Sequence, residues 1–314
     1  MIKRLVIGTR GSKLALWQAN HVAFLIKERY PTVEVMLKNI VTTGDKVLDV
    51  PLARIGGKGV FTKELERALL AGEIDLAVHS LKDMPTELPT GLTLGAVTER
   101  ADASDALISP KYRTLDNLPF GARVGTSSLR RKAQLLFFRP DLVITDLRGN
   151  IDTRLAKLGN QELDAIVLAV AGLQRLNWGE QITQFIPMDI CLPAVGQGAL
   201  AIETRVGDTA LDSVLEFLHH PETAYAVTAE RAFLRELEGG CQVPIGVHGW
   251  LDGGVLRLIA AILSADGRRR LLDSAAGHPN AAANLGSNLA RRMYVTGGRE
   301  ILEELRCGEE GWHE

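Results

Sequence analysis

Hydrophobic and polar positions in the first third of the chain alternate between strand-like and helical spacing. Leu5–Thr9 and Val33–Val41 are rich in strand-forming residues, and Lys13–Glu28 between them carries apolar side chains at helical spacing. The pattern continues with a helix at Lys63–Leu70 and a short buried strand at Ile74–His79. Such alternation predicts an α/β fold whose parallel sheet is covered by helices on both faces.

The middle of the chain repeats this alternation. Its predicted strands and helices, in order, are 123–125, 128–137, 142–147, 153–158, 165–170 and a helix that begins at 173. Gly8–Ser12 is echoed by Gly125–Ser128, and Glu73–Val78 is echoed by Glu162–Val167. The echoes favour an internal duplication that gives two similar lobes around a ligand cleft, although short hydrophobic strands also match by chance.

The last third has a different pattern. A long helix is predicted at Glu222–Leu237, followed by three strands at 243–251, 255–263 and 269–273. The linkers between these strands, Asp252–Gly254 and Ala265–Gly267, have the composition of hairpin turns. With a terminal helix at Ala281–Leu305, this part of the chain predicts a small α+β domain.

Two segments are candidate hinges between lobes. They are Thr98–Ser104 and Pro193–Gly198, and the strand-like run Leu200–Thr204 after the second could return to the first lobe. We therefore predict a first lobe of residues 1–98 and 200–216, a second lobe of residues 99–199, and a C-terminal domain of residues 217–314.

Composition narrows the possible functions. The 314 residues carry a net charge of −2, so no overall positive field attracts nucleic acid. The first residues do not resemble a signal peptide, and no apolar run is long enough to span a bilayer. Three widely spaced cysteines argue against a disulfide framework, and no metal-binding motif occurs. We expect a cytoplasmic protein that holds no metal and binds neither nucleic acid nor membrane.

Basic side chains recur just beyond the predicted strands. They are Arg10, Lys82, Arg130, Arg131, Arg148, Arg154 and Arg175. An arginine at a helix N-terminus opposes the helix dipole, so the repetition favours anionic ligands over chance. Any one of these arginines could instead be solvated or paired with a neighbouring acid. Because no phosphate-binding glycine motif occurs and a guanidinium fork matches a carboxylate, the set predicts a ligand with several carboxylates.

Few residues are candidates for chemistry. Asp83 follows a predicted strand and could move a proton or stabilise a cation, although a turn aspartate is the simpler interpretation. His79 is expected to be a packed strand residue. Cys241 lies on a predicted loop and is either a reactive thiol or a small buried hydrophobe. Cys191 and Cys307 are expected to be structural.

Taken together, these residues resemble the porphobilinogen deaminases, also called hydroxymethylbilane synthases, over nearly the whole chain. The motifs that carry the resemblance are Ile7–Ala15, Gly56–Gly59, Val78–Pro85, Gly125–Arg131, Leu147–Asn150 and Gly239–Cys241. The resemblance implies two periplasmic-binding-protein-like (type II) lobes with mixed sheets, and a third small α+β domain with a three-stranded antiparallel sheet.

The resemblance also implies the reaction. Four porphobilinogen molecules are joined head to tail with loss of ammonia, giving hydroxymethylbilane for porphyrin and haem biosynthesis. The chain of pyrroles grows on a dipyrromethane cofactor held by a thioether to Cys241, and the enzyme is a cytoplasmic monomer. Each porphobilinogen carries an acetate and a propionate, which accounts for an array of arginines.

Individual roles follow from the resemblance alone. Asp83 is the catalytic residue. Cofactor-binding residues are Cys241, Lys82, Ser12, Ser128, Arg130 and Arg131, substrate-binding residues are Arg10, Arg148, Arg154, Arg175 and Gln18, and the lid residues are Lys58 and Phe61. The glycine-rich run Arg54–Gly59 is either this lid or a plain mobile loop.

Two other classes of protein fit some of the same residues. A non-catalytic two-lobed binding protein for a small dicarboxylate accounts for the lobes and arginines, but it needs neither Cys241 nor a third domain. A cysteine-dependent transferase with a transient thioester is the other alternative. No histidine or aspartate lies at a diagnostic spacing from Cys241, which leaves a thiol hydrolase without support.

Overall fold

The computed structural model describes residues 2–46, 59–160, 163–237 and 243–310. They form two compact units. One comprises Met1–Ala101 and Gly198–Ala224, and the other comprises Asp102–Gln197 and Tyr225–Glu314. Nothing in the structure tests whether the second unit consists of two domains, so the predicted three-domain division stays a prediction.

The strands and helices follow one another along the chain with short connections. They are β1 (Arg4–Thr9), α1 (Lys13–Arg29), β2 (Glu34–Asn39), α2 (Thr43–Lys46), α3 (Lys63–Leu70), β3 (Leu76–Ser80), β4 (Leu92–Val97), β5 (Asp105–Ile108), β6 (Arg123–Gly125), α4 (Leu129–Phe138), β7 (Val143–Thr145), α5 (Ile151–Asn160), β8 (Ala165–Ala169), α6 (Val170–Arg175), β9 (Gln184–Ile186), β10 (Leu200–Arg205), α7 (Thr209–Leu215), α8 (Pro221–Glu236), β11 (Ile245–Asp252), β12 (Val255–Leu263), β13 (Arg270–Gly277), α9 (Ala282–Met293) and α10 (Arg299–Glu310).

The first unit is built on a five-stranded mixed sheet in the order β2-β1-β3-β10-β4. β1 is parallel to β2 and β3, and β10 runs antiparallel between β3 and β4. One face packs on α1 and α7 through residues such as Ile7, Ile26 and Leu215, and the other packs on α3 through Leu65 and Leu69. The run Leu200–Thr204 therefore returns to the first lobe, as the sequence suggested.

The second unit contains a sheet of the same topology. Its order is β7-β6-β8-β5-β9; β6 is parallel to β7 and β8, and β5 runs antiparallel between β8 and β9. The segment Gly125–Ser128 begins at the end of β6 as Gly8–Ser12 begins at the end of β1, and the second pair of echoes leads into the third strand of each sheet. This equivalence supports the internal repeat that the sequence suggested.

Both sheets are mixed, as the resemblance implied, whereas the βαβ alternation alone favoured a parallel sheet. In each sheet an antiparallel strand from a distant part of the chain lies beside the third parallel strand, β10 in one and β5 in the other. The strand-like pattern of residues 200–204 was recognised, but a local pattern does not determine strand direction. β4, β5 and β9 were not predicted.

A separate three-stranded antiparallel sheet in the order β11-β12-β13 also belongs to the second unit, as expected from the predicted hairpins. Its core includes Val247, Leu258 and Ile262 and side chains of α8 and α9. The single terminal helix was a wrong prediction, because the chain breaks between α9 and α10 at Gly297, whose φ of 124° is left-handed. Among the residues described, no helix combines the length and the apolar character needed to cross a membrane.

Candidate functional site

A pocket opens in the first unit beyond the carboxyl ends of β1 and β3. The residues that line it are Arg10, Ser12, Leu14, Ala15, Gln18, Phe61, Thr62, Val78, His79, Ser80 and Asp83. Five of the predicted site residues, Arg10, Ser12, Gln18, Phe61 and Asp83, are therefore brought together. Ligands of open α/β sheets commonly bind at this edge, where helix N-termini also point.

Two helices begin at the pocket wall. Ser12 caps α1, and its hydroxyl accepts a hydrogen bond of 3.3 Å from the backbone N–H of Ala15. Thr62 occupies the capping position of α3. Because the first turn of α1 carries no acidic side chain, its positive dipole end is not neutralised locally. The N-terminus of α1 therefore favours an anionic group in the pocket, whereas the first turn of α3 already carries Glu64 and Glu66.

Gln18 is fixed in the pocket wall. Its side chain is buried, and its amide nitrogen donates a hydrogen bond of 2.8 Å to the hydroxyl of Ser80 at the end of β3. Rotation of the amide is therefore restrained, and its oxygen is oriented by the same bond. Ser80 was not recognised from the sequence, because its partner lies 62 residues away.

Asp83 ends a short 3₁₀ turn, Leu81–Asp83, that follows β3 directly. Its side chain is exposed and lines the pocket. Within the part of the chain that the structure describes, its carboxylate accepts no hydrogen bond, so it is available to a ligand. Lys82, the residue before it, is half-buried.

Arg130 and Arg131 lie in a buried cluster in the second unit. Both guanidinium groups bind the fully buried carboxylate of Asp105, with N–O distances of 2.7 Å. Arg130 also donates to the carbonyl of Leu192, and Arg131 to that of Val167. Burial alone would raise the pKa of Asp105, but the two arginines hold it well below its usual range. These arginines are thus paired with an acid, the alternative that the sequence left open for any one of them, and their predicted role in cofactor binding stays a prediction.

The charges in this cluster do not cancel. Arg130 and Arg131 share one carboxylate among the described residues, and the neighbouring Cys191 is neutral because burial raises the pKa of its thiol to about 12. One positive charge is left over, and a buried unbalanced charge is unfavourable. An anionic ligand that contacts the small exposed part of Arg130 or Arg131 would therefore be bound favourably. Cys191 is structural, as predicted.

The other basic residues of the second unit have different surroundings. Ser128 caps α4 by accepting a hydrogen bond from the backbone N–H of Arg131. Arg148 is half-buried, and its guanidinium has no hydrogen bond to any residue described. Arg154 donates to the carbonyl of Gly149 at 2.8 Å. Burial lowers the pKa of Arg175 to about 10, which still leaves it charged at neutral pH.

Some predicted residues lie outside the described ranges. Lys58 and the anchor candidate Cys241 are among them, together with most of the run Arg54–Gly59. The side chain of Cys307 also lies outside them. Among described residues, no group of histidine, cysteine and acidic side chains is arranged to hold a metal ion.

A second group of ionisable residues includes His79 of the pocket wall and two glutamates packed near it. His79, on β3, is buried as predicted, and its Nε2 lies 3.1 Å from the carboxylate of Glu203 on β10. Glu66 of α3 is also buried; its burial raises its pKa, and the charge of Glu203 adds to the rise. One oxygen each of Glu66, Glu203 and Thr62 is buried without a hydrogen-bond partner among the described residues.

Replacing Glu66 by glutamine is expected to stabilise the protein at neutral pH. A folded-state pKa above the ordinary 4.5 means that stability is complete below that value and falls as the pH rises through the folded-state pKa. Glutamine cannot ionise, and its amide N–H groups can reach the oxygens that lack partners. Urea unfolding at several pH values should show that the variant lacks the decline in stability.

Glu64 provides the control on the same helix. Partial burial alone would raise the pKa of Glu64, but the hydrogen bonds that Thr43 donates lower it. The contribution of Glu64 to the stability of the protein is therefore lost as the pH falls. Glu64→Gln should therefore change the acid side of the stability profile. If Glu66→Gln were no more stable than the unaltered protein at neutral pH, the conclusion that ionised Glu66 destabilises the fold beside Glu203 would be contradicted.

Two family models match most of the chain. One is described as "Porphobilinogen deaminase, dipyromethane cofactor binding domain" and matches residues 5–213. The other is described as "Porphobilinogen deaminase, C-terminal domain" and matches residues 224–295.

Curated relatives carry the same name. The chain is 52% identical over 303 residues to the porphobilinogen deaminase of Pelobacter propionicus, covering 96% of this chain and 97% of that protein. It is 53% identical over 304 residues to that of Geobacter sulfurreducens, with 97% and 95% covered. The solved methionine-binding protein MetQ has a TM-score of 0.44 at 14% identity, covering 69% of this chain and 89% of that one.

Proposed function

We propose, from the premise that this chain belongs to the porphobilinogen deaminase family, that it is a hydroxymethylbilane synthase. It is a transferase that joins four porphobilinogen molecules head to tail, releases ammonia at each step and delivers hydroxymethylbilane to tetrapyrrole biosynthesis. The observation that carries this proposal beyond the family name is the pocket, where Arg10 and the N-terminus of α1 lie beside the exposed carboxylate of Asp83. A substrate with two carboxylates and a developing positive charge needs both features.

The donor groups fit a dipyrromethane cofactor. Such a cofactor carries two carboxylates on each ring, and the Asp105 cluster has a positive charge in excess of its carboxylate. Arg130, Arg131, Ser128, Ser12 and Lys82 would hold the cofactor, and Cys241 would anchor it by a thioether. When bound, the cofactor supplies the pyrrole carbon at which the product chain is extended. Cys191 does not fit the anchor role because it is fully buried and its thiolate is disfavoured.

Asp83 is the catalytic residue. Its carboxylate stabilises the positive charge that develops on the substrate as ammonia leaves, and then accepts the proton that the α-carbon of the attacking pyrrole loses once the new carbon–carbon bond has formed. An exposed carboxylate with no hydrogen bond to a described residue can approach the pyrrole N–H without first breaking another contact. Asp83 therefore acts on charge and protons and forms no covalent bond.

The remaining residues bind and cover the substrate. The carboxylates of the substrate and of the growing chain are bound by Arg10, Arg148, Arg154, Arg175 and Gln18. The lid over the site includes Lys58 and Phe61. The supporting observations are the place of Arg10, Gln18 and Phe61 in the pocket wall and the guanidinium of Arg148, which binds no described acceptor.

Three further features complete the proposal. The chain has three domains with the boundaries predicted from the sequence. The protein acts as a cytoplasmic monomer. It binds neither nucleic acid nor membrane, in line with its net charge of −2.

The intact mass of the purified protein tests the cofactor and the activity together. The unaltered protein should exceed its polypeptide mass by two porphobilinogens minus two ammonias, and Cys241→Ala should not. Cys191→Ala is the matched control and should keep the added mass. A bare mass that stays bare after addition of porphobilinogen, with no release of ammonia, would refute the proposed function.

A further inference from the structure

We propose that Asp45 is a positioning residue whose carboxylate holds one edge of the Arg10 guanidinium, so that the other edge is presented to a substrate carboxylate. The inference rests on the proposed function. It adds a residue that neither the motifs nor the strand-end pattern included.

The contact between the two side chains uses one edge of the arginine. Nε of Arg10 donates to Oδ1 and Oδ2 of Asp45 at 3.1 and 3.3 Å, and Nη2 donates to Oδ1. Among the described residues, Nη1 has no acceptor. A guanidinium presents five N–H donors in a planar fork, so the Nη1–Nη2 edge can still take a second carboxylate. Arg10 lines the pocket, which places that edge where a substrate can bind.

The flat face of the guanidinium is restrained as well. Its carbon lies 4.1 Å from the centre of the Phe61 ring, a cation–π distance. The ring itself packs on Gly44, since a Cβ at that position would overlap the ring carbons. Arg10 is therefore held along one edge by a charge and over one face by an aromatic ring, and the glycine leaves room for that ring.

Asp45 is in turn fixed by its own surroundings. Its Oδ2 accepts hydrogen bonds from the Thr42 hydroxyl at 2.7 Å and the Thr42 backbone N–H at 3.2 Å. Burial works against ionisation, but Arg10 and Thr42 outweigh it and lower the pKa of Asp45. The turn that carries it is tied to α3 by bonds from Thr43 to Glu64. The carboxylate is thus a fixed, charged support.

The pairing changes what Arg10 contributes. Asp45 cancels most of the charge of Arg10, so long-range attraction of the substrate is weak. What remains is a directed pair of hydrogen bonds, whose strength depends on orientation. Loss of the support should therefore weaken substrate binding even though it leaves the site more positive. This outcome separates positioning from a role in which Asp45 merely competes with substrate for Arg10.

Steady-state kinetics of Asp45→Asn in the full-length holoenzyme tests the proposal. We expect KM for porphobilinogen to rise at least about tenfold, as for the loss of a charge-assisted hydrogen bond, with kcat affected much less. In an Arg10→Lys background the same substitution should add no further rise, because a lysine ammonium has no planar fork to position. A lower KM for Asp45→Asn, or losses that add in the double variant, would overturn the proposal.

A second measurement does not depend on activity. Modification by an arginine-selective dicarbonyl, followed by peptide mass analysis, should proceed faster at Arg10 in Asp45→Asn, because Nη2 is released. Arg268, whose side chain is 87% exposed, is the internal reference. Should Asp45→Asn fail to fold, Thr42→Val offers the same test, since it removes the 2.7 Å bond that fixes the carboxylate. Unchanged reactivity of Arg10 in the folded variant would contradict the support role.

Ammonia release by the unaltered enzyme separates the two proposals. If that enzyme releases no ammonia from porphobilinogen, the proposed function fails. If it does, and Asp45→Asn has unchanged KM and unchanged Arg10 reactivity, only the role of Asp45 fails.

Discussion

Asp83→Asn should lower kcat for ammonia release from porphobilinogen by about 10²–10⁴-fold, the range for loss of a general acid–base group. Asparagine keeps the shape of the side chain, but it carries no negative charge and cannot accept a proton at neutral pH. The exposed position of Asp83 means that few packing contacts change. A stopped assay of ammonia and hydroxymethylbilane measures the effect, and the melting temperature should stay near that of the unaltered protein.

Glu87 offers a matched control for this experiment. It is an exposed carboxylate four residues further along the same segment, and it does not line the pocket. Glu87→Gln should leave kcat close to that of the unaltered enzyme. Near-normal ammonia release by a folded Asp83→Asn variant would show that another group handles the charge and the proton.

Asp105→Asn should destabilise the protein by about 3–5 kcal/mol, the usual cost of removing one member of a buried ion pair. Two buried guanidinium groups, those of Arg130 and Arg131, would lose the negative carboxylate that they share. The N–H donors of the new amide would then face the N–H donors of the arginines. The depressed pKa of Asp105 also makes the stability of the protein depend on pH. The contribution of the ionised carboxylate to the free energy of unfolding is present above the ordinary pKa of 3.8, and it is lost only as the pH falls through the much lower folded-state pKa.

Urea unfolding of Asp105→Asn and Asp252→Asn at neutral pH provides the comparison. Asp252 also pairs with an arginine, Arg257, at 2.8 Å, but both side chains are well exposed. Exposed pairs contribute little, so Asp252→Asn should change the unfolding midpoint far less. Equal effects of the two substitutions would mean that the Asp105 cluster is not a stabilising centre of the second unit.

The candidate site was partly predictable because some of its members lie close together in sequence. Arg10 was found as a basic residue just beyond a strand, and Asp83 as a carboxylate after a strand; both line the pocket. Asp45 and Asp105 were missed. Each is an ordinary acidic residue in its local sequence, and its arginine partners lie 25–35 residues away along the chain.

The secondary structure shows the same division between local and distant information. Lys63–Leu70 was predicted with its observed bounds, because its apolar side chains fall on one helical face. The terminal helix was predicted as continuous because helical periodicity persists on both sides of Gly297, and a single left-handed residue leaves little trace in that pattern.

The sequence by itself determined the local elements, the turns between them and the family, because hydrophobic periodicity, caps and short motifs act within a few residues. Only the tertiary structure decided which strand lies beside which and in what direction, as for β10 between β3 and β4. It also decided which arginines remain available to a ligand. Ion pairs form between side chains that the fold brings within about 4 Å, and separation along the chain places almost no restriction on that meeting.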